Sequence, residues 1–236
     1  MSWDSKEKIE KLEKIFGVKV ENAEIFKQAL THSSFTRENE LSPLENYERL
    51  EFFGDAVLKL CISEILYKKF PHYAEGELTK IRSIIVSDNM LAEVAKQIGL
   101  AELIVLGKQE EKTGGRKRKS ILACAFEAVL GAYYLEDKFA QVSGFLEKTF
   151  ENQMKDVDEN FEKFNAKAVL QEYTQGQNKA LPEYKLVEQL GPEHDKIFVV
   201  EVSYMAEVLA SGQGKTKREA EQDCAYKACV KLGAIK

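Results

Sequence analysis

The stretch YERLEFFGDAVLKLCISEILYKKF at 47–70 decides the first half of the fold. Over 46–70 apolar residues fall nearly all round a 3.6-residue period (Leu50, Phe52, Phe53, Val57, Leu58, Leu60, Ile62, Ile65, Leu66). That pattern predicts a helix buried on most sides and central to its domain. Glu48, Glu51 and Asp55 stand at i, i+3 and i+7, within an arc of about 60° on one helix face. Three like charges so close on a largely apolar helix repel unless a cation neutralises them, and carboxylate oxygens suit hard divalent ions. The same spacing is equally that of a solvated acidic stripe. A di-iron carboxylate bundle requires Glu-x-x-His pairs, and the histidines, His32, His72 and His194, supply none.

On either side of this stretch, residues 5 to about 150 keep apolar positions at three- and four-residue spacing, as in AEIFKQALTHSSF at 23–35 and SILACAFEAVLGAYYLEDKF at 120–139. This half reads as all helix. Glu127 interrupts the second of these runs, where an unpaired charge is expensive, so it needs either a cation or an Arg or Lys partner. From residue 154 the chain turns into MKDVDENFEKFN, charged and poor in large aliphatics, which reads as a linker over 155–164 with helix at its start. From Asn165 the order changes to helix (AKAVLQEYTQ), strand (PEYKLVEQL), a GPEHD turn, strand (KIFVVEVSY), a short strand (EVLASG) and helix (KREAEQDCAYKACVKL). The fold class is therefore α+β: an all-α domain over 1–154, then an α-β-β-β-α domain over 165–236.

Composition bounds this reading. With 236 residues, 44% of them hydrophobic, the chain can bury two cores. A net charge of −5 argues by itself against a nucleic-acid partner, but GGRKRKS at 114–120 and GKTKRE at 214–219 concentrate cations locally. No apolar run approaches the roughly 20 residues of a membrane span, and the start, MSWDSKEKIEKLEKIF, is charged rather than signal-like. A soluble, cytoplasmic protein with no membrane partner is expected. Cys61, Cys124, Cys224 and Cys229 lie in apolar helical patterns without zinc-type pairing and read as reduced thiols. His32 reads as a packed histidine, and Tyr184, Phe198 and Ala220 as core formers.

ERLEFFGDAVL at 48–58 resembles the signature of the ribonuclease III family. ALTHSSF at 29–35, EGELTKIRS at 75–83 and GGRKRKSILACAFEAVLGAYYLE at 114–136 resemble that family's other blocks, in order. The resemblance implies an endonuclease domain that forms a homodimer and hydrolyses phosphodiester bonds of double-stranded RNA with Mg²⁺, or Mn²⁺ as substitute, leaving 5′-phosphate and 3′-hydroxyl ends. No small-molecule cofactor is implied. By the same resemblance, Asp55 and Glu127 are catalytic acids, Glu51, Asp55 and Glu127 bind metal, and Glu48 and Glu75 are secondary acids. The family's remaining metal-binding aspartate falls at Cys124, and a neutral thiol is a poor ligand for Mg²⁺.

LQEYTQ at 170–175, GPEHDKIF at 191–198 and GQGKTKREAEQDCA at 212–225 resemble the double-stranded-RNA-binding domain. Such domains read the duplex by shape, through 2′-hydroxyls in two minor grooves and the phosphates between them. The resemblance places Gln171, Gln175 and His194 at the minor grooves. It places Lys215, Lys217 and Arg218 on phosphate, at the start of the last helix. Thr216 with Glu219 has the spacing of a capping box, so part of this motif is ordinary helix-start chemistry. Two functions follow: an endoribonuclease acting on structured transcripts such as ribosomal RNA precursors, or a duplex-binding protein whose cleavage is impaired because Cys124 replaces the aspartate.

Overall fold

The computed structural model describes the backbone of residues 5–192 and 196–235. The chain divides into two compact units, Met1–Met154 and Lys155–Lys236. The first carries α1 (Ser5–Phe16), α2 (Ala23–Ala29), α3 (Ser33–Glu38), α4 (Glu48–Lys69), α5 (Glu75–Ile85), α6 (Asp88–Gln97), α7 (Lys108–Lys112), α8 (Lys119–Leu135), α9 (Phe139–Thr149) and the start of α10 (Glu151–Glu159). Among its described residues no helix is long and apolar enough to cross a membrane. The segment 155–164, expected as a linker, is helical well beyond its start: α10 runs through Glu159, and a single turn, α11 (Phe161–Phe164), follows.

Unit 1 is organised around α4 and α8, which pack on each other more extensively than any other pair of elements. Leu58, Ile62 and Leu66 from α4 meet a core that includes Phe126, Leu130 and Tyr133 from α8, all fully or almost fully buried. Two glycines let the backbones come this close. A Cβ on Gly54 would stand 1.8 Å from the carbonyl oxygen of Glu127, and one on Gly131 would stand 2.7 Å from that of Leu50. The helices thus touch main chain to main chain, and a methyl group at either point has nowhere to go. Gly54→Ala is expected to cost about 3 kcal/mol or more, read as the shift in urea midpoint at constant m; a loss under about 1 kcal/mol would mean that the crossing is loosely held.

The expectation that α4 is buried on most sides is corrected here. Leu50, Val57, Leu58, Cys61, Ile62, Ile65 and Leu66 are buried, but Phe52 is 82% exposed and Leu60 54%, with Tyr67 exposed on the same helix. Phe53 is half-buried, edge-on to Tyr134 with ring centroids 5.3 Å apart. One face of α4 thus meets the core of its own domain, while the other presents aromatic surface. The four cysteines are free thiols.

Unit 2 follows the expected order: α12 (Ala166–Asn178), β1 (Glu183–Leu190), β2 (Ile197–Tyr204), β3 (Glu207–Gly214) and α13 (Lys217–Leu232). The strands form an antiparallel sheet in the order β1-β2-β3. Its core joins Ala166 and Leu170 of α12, Val202 and Leu209 of the sheet, and Cys224, Ala225, Ala228 and Cys229 of α13. Ala220 is buried and Tyr184 packs against this core, while Phe198 is half-buried. Gly212 and Gly214 serve the second close approach of the molecule. A Cβ at either would stand 2.2 Å or 2.5 Å from the backbone nitrogens of Cys224 and Ala220, so α13 lies directly on β3.

Candidate active site and RNA-binding surface

The α4–α8 crossing decides which side chains meet. Gly54 receives the backbone of Glu127, and Asp55 is the next residue, so the acidic face of α4 faces the acid of α8. The Glu127 carboxyl is half-buried, and its pKa is pushed up to about 8. Burial is the main cause, followed by the charges of Asp55, Glu51 and Asp88, with Lys59 opposing them. Among the described residues the Glu127 carboxyl has no hydrogen bond or ion pair. Cys124, one turn earlier, is also half-buried. Its thiol is pushed up first by burial, then by the neighbouring Glu51 carboxylate and by the charges of Glu127 and Asp88. A thiol raised in this way keeps its proton, so Cys124 stands beside Glu51 as a neutral group.

The structure therefore gathers Glu51, Asp55, Cys124 and Glu127, and Asp55 also pairs with Lys59 at 2.7 Å. The two secondary acids are both exposed. Glu75 is exposed at the first position of α5, where it accepts from the Thr79 hydroxyl at 2.9 Å. Glu48 is exposed at the start of α4, and its charge acts on His32 and Tyr47. Sequence reading missed two charged groups that act on the cluster, Asp88 at the first position of α6 and Lys59 on α4. Lys59 was readable as the i+4 partner of Asp55. Asp88 had no signal, because its nearness depends on how α6 packs against α8, where Lys119 Nζ donates to Asn89 Oδ1 at 2.9 Å. His32 is a packed histidine: it caps α3, its Nδ1 accepting from the Ser34 amide at 3.1 Å, and its ring lies 5.6 Å from that of Tyr47.

The chemistry of these donors fits a divalent ion, since Glu51, Asp55 and Glu127 offer hard oxygens, and a carboxyl pushed up by burial and by the neighbouring carboxylates of Asp55, Glu51 and Asp88 is one that a cation would stabilise. Among the described residues, no three His, Cys, Asp or Glu side chains form a ready-made metal cage.

In unit 2, Leu170 and Thr174 turn inward while Gln171 and Gln175 are exposed one turn apart on α12. Lys215, Lys217 and Arg218 are exposed at the start of α13. Thr216 caps this helix, its hydroxyl accepting from the Glu219 amide at 3.1 Å. The capping box differs from the expected form, because the Glu219 carboxylate accepts from the Lys215 amide, at 2.9 Å, rather than from that of Thr216. His194 lies outside the described residues.

A helical domain with acids gathered where two helices cross, followed by an α-β-β-β-α domain with an exposed basic helix start, defines a two-domain class of RNA-handling protein. Family models agree with this division: Ribonuclease-III-like over residues 22–154 and Double-stranded RNA binding motif over 166–232. The chain is 44% identical over 230 residues to ribonuclease 3 of a Geobacillus species, covering 97% of this chain and 92% of that one. It is 42% identical over 226 residues to ribonuclease 3 of Bacillus licheniformis, covering 96% and 90%. Among solved structures, the nuclease domain of Campylobacter jejuni ribonuclease III superposes with a TM-score of 0.55 at 37% identity, over 61% of this chain and 99% of that one. The chain belongs to the ribonuclease III family and, with it, to the metal-dependent endoribonucleases of double-stranded RNA.

Proposed function

We propose that the protein cuts double-stranded RNA with Mg²⁺, or Mn²⁺ in its place, leaving 5′-phosphate and 3′-hydroxyl ends, and that it acts in the cytoplasm on structured transcripts such as ribosomal RNA precursors. The observation that carries this reading is the Glu127 carboxyl, half-buried beside Asp55 and Glu51 where α4 and α8 touch. Glu51, Asp55 and Glu127 would hold the ion, with Asp55 and Glu127 as the catalytic acids. When bound, the ion supplies charge stabilisation at the phosphoryl group and lowers the pKa of water. The chain's own part is to present rigid carboxylates: Gly54 and Gly131 lock the helix crossing. A duplex-binding protein with impaired cleavage is not favoured, since relatives called ribonuclease 3 match over nine-tenths of the chain and three of the four cluster positions keep their acids. Incubation with a long RNA duplex in Mg²⁺, compared with EDTA, tests the activity; an intact duplex in both, with retardation on a gel, would restore the binding-only reading.

Duplex affinity is assigned to unit 2, through Gln171, Gln175, His194, Lys215, Lys217 and Arg218. Lys217→Ala with Arg218→Ala is expected to weaken binding on all sequences alike and to flatten the dependence of log K on log salt by about 0.7–0.9 per lost phosphate contact. An unchanged slope in a gel-shift titration would place the phosphate contacts elsewhere.

The protein is further assigned as a homodimer through the endonuclease domain. Phe52, 82% exposed, stands at a groove of about 650 Å³ that Ile25, Phe53 and Leu135 help to line. A patch of this kind suits a second copy of the same face. The Campylobacter jejuni structure is itself described as having a region involved in dimer formation in its nuclease domain. Light scattering is expected to give twice the 26.8 kDa chain mass for the parent and the single mass for Phe52→Asp; a monomeric parent at micromolar concentration would overturn the assignment.

A further inference from the structure

Among the described residues, Lys59 is the cation that pairs with an acid of the site. Its Nζ lies 2.7 Å from Asp55 Oδ2, one turn along α4, and its charge also reaches Glu127 on α8. Lys59 is thus bonded to Asp55 and acts on Glu127 through space. The pair is solvent-accessible, with side chains 51% and 40% exposed, and an exposed i, i+4 pair contributes little stability. It is therefore easily broken. An ammonium ion satisfies an Asp carboxylate as one more ligand would, but it cannot leave the site, because its stem is fixed to the same helix.

We propose that Lys59 is a resident counter-cation of the acidic cluster, which a divalent ion must displace from Asp55, so that Lys59 raises the metal concentration the protein needs. The inference rests on the metal-dependent reading above. Lys59 is a positioning residue in this scheme: in the absence of metal it holds Asp55 turned along α4, and it opposes the approach of a second positive charge. Removing one unit charge a few ångströms from a divalent ion, across water and salt, changes affinity by roughly 3- to 10-fold.

The test is a titration of the full-length protein with Mn²⁺ and no RNA, following free Mn²⁺ by electron paramagnetic resonance. Lys59→Gln keeps a hydrogen-bond donor of similar reach but removes the charge, and it is expected to tighten Mn²⁺ binding about 3- to 10-fold. Lys59→Arg, which keeps the charge, should stay within about twofold of the parent. Lys68→Gln controls for net charge, since Lys68 makes the same kind of pair with Glu64, at 2.6 Å, farther along α4. It should also stay within about twofold. An affinity unmoved by Lys59→Gln overturns the inference, as does an equal shift in Lys68→Gln or Lys59→Arg, while both leave the metal-dependent reading intact. A parent that binds no Mn²⁺ overturns both. Thermal melts of each variant in EDTA confirm that the compared chains are folded.

Discussion

Glu127→Gln is expected to abolish cleavage of duplex RNA while leaving duplex affinity within about twofold of the parent. The acid stands at the α4–α8 crossing in unit 1, whereas affinity is assigned to the exposed cations and glutamines of unit 2. Loss of a directly acting catalytic group removes several kcal/mol of transition-state stabilisation, about 10³-fold or more in rate. Stability separates this from unfolding. A carboxyl whose pKa rises from 4.5 in the unfolded chain to about 8 in the fold binds more protons when folded, so its contribution is most favourable below about pH 4.5 and is lost as pH rises toward 8. In EDTA the parent should therefore melt at a lower temperature at pH 8 than at pH 6. Glu127→Gln, which cannot ionise, should show a smaller drop and melt above the parent at pH 8. A variant that cuts normally, or loses folding and cleavage together, removes the catalytic assignment.

Cys124→Asp is expected to raise the single-turnover rate in Mg²⁺ at saturating RNA by at least about tenfold, the lower end of what altered metal surroundings cost. The present thiol is pushed up by burial and by Glu51 and stays protonated, so it adds no charge to the site. An aspartate there would add a hard oxygen ligand to Glu51, Asp55 and Glu127. It would also add an anion beside Glu51, Glu127 and Asp88, whose repulsion nothing in the variant relieves without metal. The substitution should therefore lower the melting temperature in EDTA and enlarge the rise on adding Mg²⁺. Mn²⁺, softer than Mg²⁺, should narrow the rate gap between parent and variant. If Cys124→Asp cuts no faster than the parent in Mg²⁺, the thiol position is not a deficit, and the site works without a fourth acid.

Much of the site was legible one element at a time. Spacing put Glu51 and Asp55 on one face of a helix, and the acid inside ILACAFEAVLGAYY marked Glu127 as a charge in need of a partner. Spacing also grouped Glu48 with these acids; Glu48 is exposed at the helix start, and its charge acts with that of Glu51 on Tyr47. Angular position on a helix wheel says which way a side chain leaves the axis, and says nothing of what stands opposite at that height. Asp88 is the converse case, a residue with no local pattern that a neighbouring helix delivers to the cluster.

By itself the sequence determined the local and repetitive features: the helices of unit 1, the α-β-β-β-α order of unit 2, the Thr216 cap, and which residue types could serve a metal or a phosphate. These follow from hydrophobic period and from hydrogen bonds within a few residues, which the chain carries wherever it folds. Only the tertiary structure decided that Gly54 and Gly131 are the contact where α4 and α8 touch, that the charge of Asp88 acts on Cys124 and Glu127, and that Phe52 faces outward from a helix whose pattern reads as buried. Each of these depends on packing between distant elements. A hydrophobic pattern cannot tell burial within one domain from burial against a second copy, since both remove the same apolar surface from water.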